Sequence, residues 1–64
     1  MAMLKVIEKS DKSWKDAAQR AVTQASKTVR NIGSIYLKNL EATVEDGKIR
    51  AYPINGKISF LLEG

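Results

Sequence analysis

The sequence lacks two residue types on which much protein chemistry at neutral pH depends. Its 64 residues include no cysteine and no histidine. Without cysteine there are no disulfides and no thiolate zinc sites, and without histidine the commonest general base and metal ligand is missing. A glycine-rich phosphate loop is also absent. We therefore expect no catalytic residues and no enzyme, unless paired carboxylates meet at a subunit interface.

Long apolar runs are absent as well. Charged residues interrupt the N-terminal segment MAMLKVIEK, which is therefore not typical of a signal peptide, and no stretch approaches the roughly 20 apolar residues of a membrane span. The net charge is +4, but basic residues are scattered from Lys5 to Lys57 and aromatic residues make up only 6%. This pattern favours a solvated surface over a nucleic-acid interface, which needs a basic patch or stripe. We expect a cytoplasmic protein without membrane partners.

A chain of 64 residues has room for one domain, residues 1–64. Such a domain buries only about 60% of the surface that it exposes when unfolded, so its own core is marginal. Small domains compensate with disulfides, a structural metal or oligomerisation. With the first excluded, and the second lacking its usual ligands, the sequence predicts a homo-oligomer.

The first half of the sequence predicts a strand followed by a helix. Residues 3–9 alternate, with Leu4 and Val6 on one face. Ser13 has the character of an N-cap, with Asp16 three residues later as in a capping box. Lys27 and Arg30 are expected near the helix C-terminus, and Gly33 is expected as the left-handed residue that ends the helix. The predicted helix covers about 18 residues, with apolar positions at Trp14, Ala17, Ala18, Ala21, Val22, Ala25, Val29 and Ile32.

The second half predicts a long hairpin with arms at residues 34–45 and 48–62. Asp46-Gly47 between the arms is a strong type I′ turn signal. A change of phase near Lys38-Asn39 predicts a bulge in the first arm, and Pro53 is expected at an edge or a break. In the second arm, one face carries Tyr52, Ile54, Gly56, Ile58, Phe60 and Leu62. Both arms are long enough to extend beyond the helix, so we expect their far ends to contact neighbouring subunits.

The sequence resembles the dodecin family over nearly its whole length. The segments that carry the resemblance are LKVIE, SW-KDAAQRAV, ASKTVRNI, VEDGKI, and AY followed by ISFLLE. The resemblance implies an α+β fold, a three-stranded antiparallel sheet wrapped around one helix. It further implies a hollow shell of twelve identical subunits that binds and stores a flavin, riboflavin or FMN, without catalysis.

The positions that hold the flavin in dodecins differ here. The family stacks the flavin ring on a tryptophan just after the helix, where this sequence has Ser34, and bonds it with a glutamine after a tyrosine, where this sequence has Pro53. Serine has no aromatic face, and proline has neither a side-chain amide nor a backbone N–H. These replacements predict that stacked flavin binding is weakened or lost. Tyr36 and Tyr52 are the remaining aromatic candidates for a ligand surface.

Other polar and aromatic residues have simpler interpretations. Trp14 is expected to pack in the core or at an interface. Glu41, Glu45 and Asp46 are weak candidates for a metal site, since no EF-hand pattern is present, although symmetry axes of an assembly could still bring carboxylates together around ions. Three hypotheses follow: a dodecin-like flavin-binding shell, a shell that is structural or holds ions or other ligands, and a small basic nucleic-acid-binding module.

Overall fold

The chain folds as one helix on an antiparallel sheet. The computed structural model describes residues 2–61, which form β1 (Ala2–Ser10), α1 (Trp14–Ala25), β2 (Ile32–Leu40), β3 (Thr43–Glu45) and β4 (Lys48–Phe60). The predicted α+β class and element order are confirmed, although the first hairpin arm is divided into β2 and β3. Leu62 and Glu63, which were part of the predicted second arm and of the family-like ending, lie outside the described residues.

The long strand β4 organises the sheet. It lies between β1 and β2, and its other end pairs with β3, all antiparallel. The predicted turn between β3 and β4 is confirmed, because Asp46 and Gly47 both have positive φ, 53° and 74°. The predicted bulge is also confirmed, since the register with β4 shifts between Leu37 and Asn39.

The start of α1 agrees with the sequence, and its end does not. Ser13 is the N-cap and accepts a hydrogen bond from the Asp16 amide at 3.0 Å. The helix ends at Ala25, not near Ile32. Beyond Ala25 the backbone tightens into turns: the Lys27 amide donates to the Gln24 carbonyl at 3.2 Å, and the Thr28 amide donates to the Ala25 carbonyl at 3.0 Å. Asn31, with φ 59°, then directs the chain into β2.

The connection from α1 to β2 corrects three further predictions. The left-handed residue is Asn31, with φ 59°, and Gly33 instead lies within β2. Asparagine tolerates this conformation because its short polar side chain can bond locally. Lys27 and Arg30 lie beyond the end of the helix, whose last turn contains no basic residue, so their predicted placement within its last turns is wrong.

The core forms where α1 crosses the sheet. Ala17, Ala21 and Ala25 are buried on the helix, and Ile54 and Ile58 are buried on β4. Since alanine has the shortest apolar side chain, the helix backbone lies close to the sheet. Val6, Ala18 and Ile35 pack around this centre. The core is therefore small and confined to one end of the sheet.

Pro53 lies in the central strand and not at a sheet edge. It faces Lys9 of β1, and its carbonyl accepts a hydrogen bond from the Glu41 amide at 3.5 Å. The N and C=O of one residue in a strand point to the same side, so the missing donor of Pro53 faces the interruption between β2 and β3. The predicted edge position is wrong, and the predicted break is confirmed.

A large part of the chain is not covered by its own helix. The chain measures 51 × 19 × 13 Å with a Cα radius of gyration of 13.1 Å, against about 11 Å for a compact domain of this length. Its accessible surface is 4871 Å², where about 4,100 Å² is expected for this mass. The exposed large apolar and aromatic residues are Met3, Leu4, Ile7, Trp14, Tyr36, Leu37, Leu40, Val44, Ile49 and Leu61. No helix within residues 2–61 has the length and hydropathy needed to cross a bilayer.

Candidate functional site

The sheet has two chemically different faces. The covered face packs against α1 through Val6, Ile35 and Ile54. The open face points away from the helix, and the register of β1 and β2 with β4 defines its members. They are Met3, Lys5, Ile7 and Lys9 on β1, Ser34, Tyr36 and Asn39 on β2, and Pro53, Asn55, Lys57 and Ser59 on β4. Both altered flavin positions, Ser34 and Pro53, therefore lie on the open face.

Ser34 lies at one end of the open face. It pairs with Ser59 across the β2–β4 ladder, and the two hydroxyl oxygens are 2.6 Å apart. A depression of about 440 Å³ opens beside them, lined by residues 31–34 and 59–61. Ser59 is only 1% exposed, so the two hydroxyls largely satisfy each other. The position offers a small polar floor and no aromatic platform.

Pro53 lies far from Ser34 within one chain. Six residues of β4 separate Pro53 from Ser59, the partner of Ser34, which corresponds to about 20 Å along a strand. A small depression of about 180 Å³ adjoins Pro53 and includes Ile7, Asn39 and Asn55. One chain therefore does not bring the two positions together, and a ligand contacting both would have to bridge two copies.

The two tyrosines are on opposite faces. Tyr36 is on the open face opposite Lys57 and is 59% exposed. Tyr52 is on the covered face, where its ring meets that of Trp14 edge to face with centroids 5.1 Å apart. Trp14 also donates its indole N–H to the carbonyl of Glu41 at 2.8 Å. Trp14 and Tyr52 thus join the start of the helix to the β2–β3 interruption, and only Tyr36 presents a free ring on the open face.

The three acidic candidates lie at opposite ends of the β3–β4 hairpin, Glu41 at its base and Glu45 and Asp46 at its tip. Glu41 precedes β3, Glu45 ends it, and Asp46 is in the turn. All three are exposed. Within residues 2–61 of one chain, no group of three potential ligands is close enough to hold a metal ion. An ion site formed by these carboxylates on a symmetry axis stays a prediction.

The most perturbed ionisable group is at the start of the helix. The Ser10 hydroxyl donates to the Asp16 carboxylate at 2.5 Å, and the Arg20 Nε donates to the same oxygen at 3.0 Å. The hydrogen bond from Ser10 and the positive charges of Arg20 and Lys12 lower the pKa of Asp16, against the opposing effect of desolvation. Asp16 stabilises the connection between β1 and α1 and is not near either flavin position.

A comparison with protein families decides the assignment. The family model described as Dodecin matches residues 2–63. The chain belongs to the dodecin family. A dodecin from Streptomyces coelicolor is similar in structure, with a TM-score of 0.88 and 27% identity, over 98% of this chain and 90% of that one.

Two more distant structures share the dodecin fold. A protein of Thermus thermophilus superimposes with a TM-score of 0.90 at 22% identity, over 98% of this chain and 93% of that one. A dodecin from Streptomyces davaonensis gives a TM-score of 0.87 at 19% identity, over 98% and 93% of the two chains. A search of curated proteins found no match.

Sequence reasoning missed one feature of this dodecin fold. Lys5, Lys38 and Lys57 are scattered along the chain, yet they line a single depression of about 450 Å³ on the open face together with Tyr36 and Asn55. The alternation of β1 and β4 places Lys5 and Lys57 on the polar side of their strands, which is visible in the sequence. Their direct pairing depends on the β1–β4 register, which no local pattern encodes.

Proposed function

We propose that this chain forms a hollow homo-oligomeric shell, twelve subunits as in other dodecins, that binds a small molecule without catalysing its conversion. The observation that carries the proposal is the family match over residues 2–63. The exposed apolar residues add physical support, because a surface about one fifth larger than expected for this mass needs partners to cover it.

The shape of the chain favours copies of itself as those partners. Residues 41–50, which we call the arm, are all exposed, and Val44 and Ile49 carry apolar side chains on it. In a closed symmetric assembly each copy offers the same uncovered surfaces, so burial of one arm repeats in every subunit. Sedimentation velocity at micromolar concentration should give one large species. A stable monomer or dimer would contradict the shell.

For the ligand we propose a flavin held more weakly than in family members with the stacking tryptophan. Ser34 and Pro53 replace the ring platform and the amide, and their separation of about 20 Å within a chain requires a site shared by two copies. Loss of an aromatic stack removes about 0.5–1.5 kcal/mol beyond burial. The second candidate is a shell whose ligand is not a flavin, and the mutually bonded hydroxyls of Ser34 and Ser59 favour it.

The experiment is a gain of function. Riboflavin fluorescence is titrated with the wild type and with a Ser34→Trp, Pro53→Gln variant. If both positions face a flavin site, the double variant should bind riboflavin about tenfold more tightly and quench it more strongly. Pro53→Gln is compatible with the strand because the new N–H would point into the β2–β3 interruption.

A matched control is Lys27→Trp, which adds the same ring at an exposed position beyond α1. Equal quenching by the control would indicate non-specific stacking. Strong binding by the wild type alone would contradict the weakened site. No binding by either protein would favour the non-flavin shell, provided that sedimentation finds the double variant assembled.

A further inference from the structure

The open face carries positive charge and no negative charge along β1, β2 and β4. Its ionisable members besides Tyr36 are lysines, Lys5 and Lys9 on β1 and Lys57 on β4. Along β1 the only acidic residue is Glu8, which alternates onto the covered face opposite Ile54. Charge is therefore segregated by strand alternation, although the whole sequence contains seven acidic residues.

Three open-face side chains form a row across the sheet. Lys5 of β1 lies directly opposite Lys57 of β4, and Tyr36 of β2 lies opposite Lys57 on the other side. Directly opposed residues have Cβ atoms about 5 Å apart, and like charges in that arrangement are unfavourable. Two lysine side chains therefore extend from neighbouring positions on one face and line the same depression.

The bulge in β2 adds a third cation to this row. Lys38 is the residue skipped by the register shift between Leu37 and Asn39, and it lines the same depression as Lys5, Lys57, Tyr36 and Asn55. The floor of the depression is Gly56, where a Cβ would overlap the Tyr36 carbonyl and approach the Leu37 Cα at 3.3 Å. A glycine there allows β2 and β4 to approach closely beneath the lysines.

Within residues 2–61 of one chain, no carboxylate pairs with these lysines. Within residues 2–61 the ion pair is Asp16 with Arg20, on the helix, and Lys5, Lys38 and Lys57 make no side-chain hydrogen bond there. The Tyr36 hydroxyl and the Asn55 amide add neutral donors at the same place. A compact set of donors around a space of about 450 Å³ has the chemistry that a doubly charged anion with several acceptor oxygens requires.

We propose that this lysine pocket, formed by Lys5, Tyr36, Lys38, Asn55 and Lys57, binds the phosphate group of a small phosphorylated molecule. A phosphate carries nearly two negative charges and enough oxygens to accept from three ammonium groups and two neutral donors. A nucleic-acid strand is less suited, because stacking platforms should follow one another along the groove and Tyr36 is the one aromatic side chain lining it. The inference does not depend on flavin binding.

The test titrates inorganic phosphate into the assembled protein in low-salt chloride buffer, followed by isothermal calorimetry and by ³¹P line broadening. We expect saturable binding that Lys57→Gln weakens by about tenfold or more, because a charge-assisted hydrogen bond is removed. The control Lys15→Gln removes an exposed lysine from the helix and should leave phosphate binding unchanged. Lys5→Gln should behave like Lys57→Gln.

Thermal unfolding supplies a second, independent readout. In phosphate-free buffer Lys57→Gln should be at least as stable as the wild type, since it relieves the repulsion from Lys5, and phosphate should raise the unfolding temperature of the wild type and of Lys15→Gln only. Absence of saturable phosphate binding, or equal losses in Lys57→Gln and Lys15→Gln, would overturn the proposal. A single-stranded oligonucleotide that displaced bound phosphate at a concentration below that of the phosphate would also overturn the proposal, and would identify nucleic acid as the ligand.

Discussion

The helix-covered end of the sheet and the arm share strand β4, but different contacts stabilise them. At the covered end, β4 contributes Ile54 and Ile58, which are buried beneath the alanines of α1. In the arm, residues 41–50, every residue is exposed, and the pairing of β3 with β4 is the main stabilising contact. An isolated two-stranded ribbon is marginal in water. The covered end therefore folds the chain, and the arm depends on neighbouring copies.

A pair of isoleucine variants should separate these two roles most strongly. Ile54 is 2% exposed and Ile49 is 54% exposed, on the same strand. Ile54→Ala should lower the free energy of unfolding by about 3 kcal/mol, through lost burial and the cavity that remains. Ile49→Ala should leave the fold unchanged and weaken assembly. Urea unfolding measures the first effect, and sedimentation at decreasing protein concentration measures the second.

Unfolding of the subunit by Ile49→Ala would contradict this division of roles between the covered end and the arm. The arm would then belong to the same cooperative unit as the core, and subunit folding and assembly would be inseparable. If Ile54→Ala instead gave a folded subunit that failed to assemble, the covered end would have a direct role at an interface. Lys15→Ala, at an exposed position of α1 whose side chain makes no hydrogen bond within residues 2–61, serves as the reference for small effects.

Local signals were predictable in both regions, because they act between residues close together in the sequence. Ser13, the alternation of β1 and the Asp46-Gly47 turn are local signals, and each gave the right conformation. The helix end was mispredicted because Val29 and Ile32 continue the helical spacing, whereas the backbone after Ala25 tightens into i→i−3 hydrogen bonds and Asn31 adopts a left-handed conformation. The spacing of apolar residues does not encode this change in backbone hydrogen bonding.

The site was less predictable than the fold because it depends on register. Ser59 shares its face of β4 with Asn55 and Lys57, which predicts exposure, but in the sheet it lies opposite Ser34 and is buried. Lys5 and Lys57 meet only because β1 pairs with the far end of the chain. The family resemblance located Ser34 and Pro53 in the sequence, and only the sheet geometry shows that they lie at opposite ends of one face.

Trp14 connects the two regions and offers a smaller, more selective perturbation. Its ring packs on Tyr52, and its N–H binds the Glu41 carbonyl where the arm begins. Trp14→Phe keeps an aromatic ring and removes the donor, which should lower subunit stability by about 1 kcal/mol. We expect faster amide hydrogen exchange at residues 41–45 than in the wild type, with exchange in α1 unchanged.

The partner variant Tyr52→Leu tests whether the ring contact or the hydrogen bond orients the arm. Loss of the edge-to-face pair should cost a similar amount while leaving the indole donor in place. Equal exchange at residues 41–45 in Trp14→Phe and in the wild type would show that the arm is oriented by pairing with β4 alone, and that the hydrogen bond to Glu41 has no such role.

The smallest expected effect contrasts an acid of the covered end with an acid of the arm. The hydrogen bond from Ser10, followed by the charge of Arg20, lowers the pKa of Asp16 below its ordinary value of 3.8. A carboxyl with a lower pKa in the folded state stabilises the fold above its unfolded pKa, and this contribution disappears as the pH falls through the folded value. Asp16→Asn should therefore be less stable than the wild type at pH 7, and the gap should close below about pH 4.

Glu45→Gln in the arm is the matched control, because the exposed Glu45 side chain accepts no hydrogen bond within residues 2–61. Its difference from the wild type at pH 7 should be smaller than that of Asp16→Asn when subunit unfolding is followed in urea, because no hydrogen bond is lost. Ser10→Ala should raise the pKa of Asp16, measured by NMR titration of the carboxyl, because the largest stabilising contact is removed. A gap for Asp16→Asn that did not narrow at all as the pH fell from 7 to 2 would mean that the side chain acts through packing or hydrogen-bond geometry, and that its charge does not stabilise the β1–α1 connection.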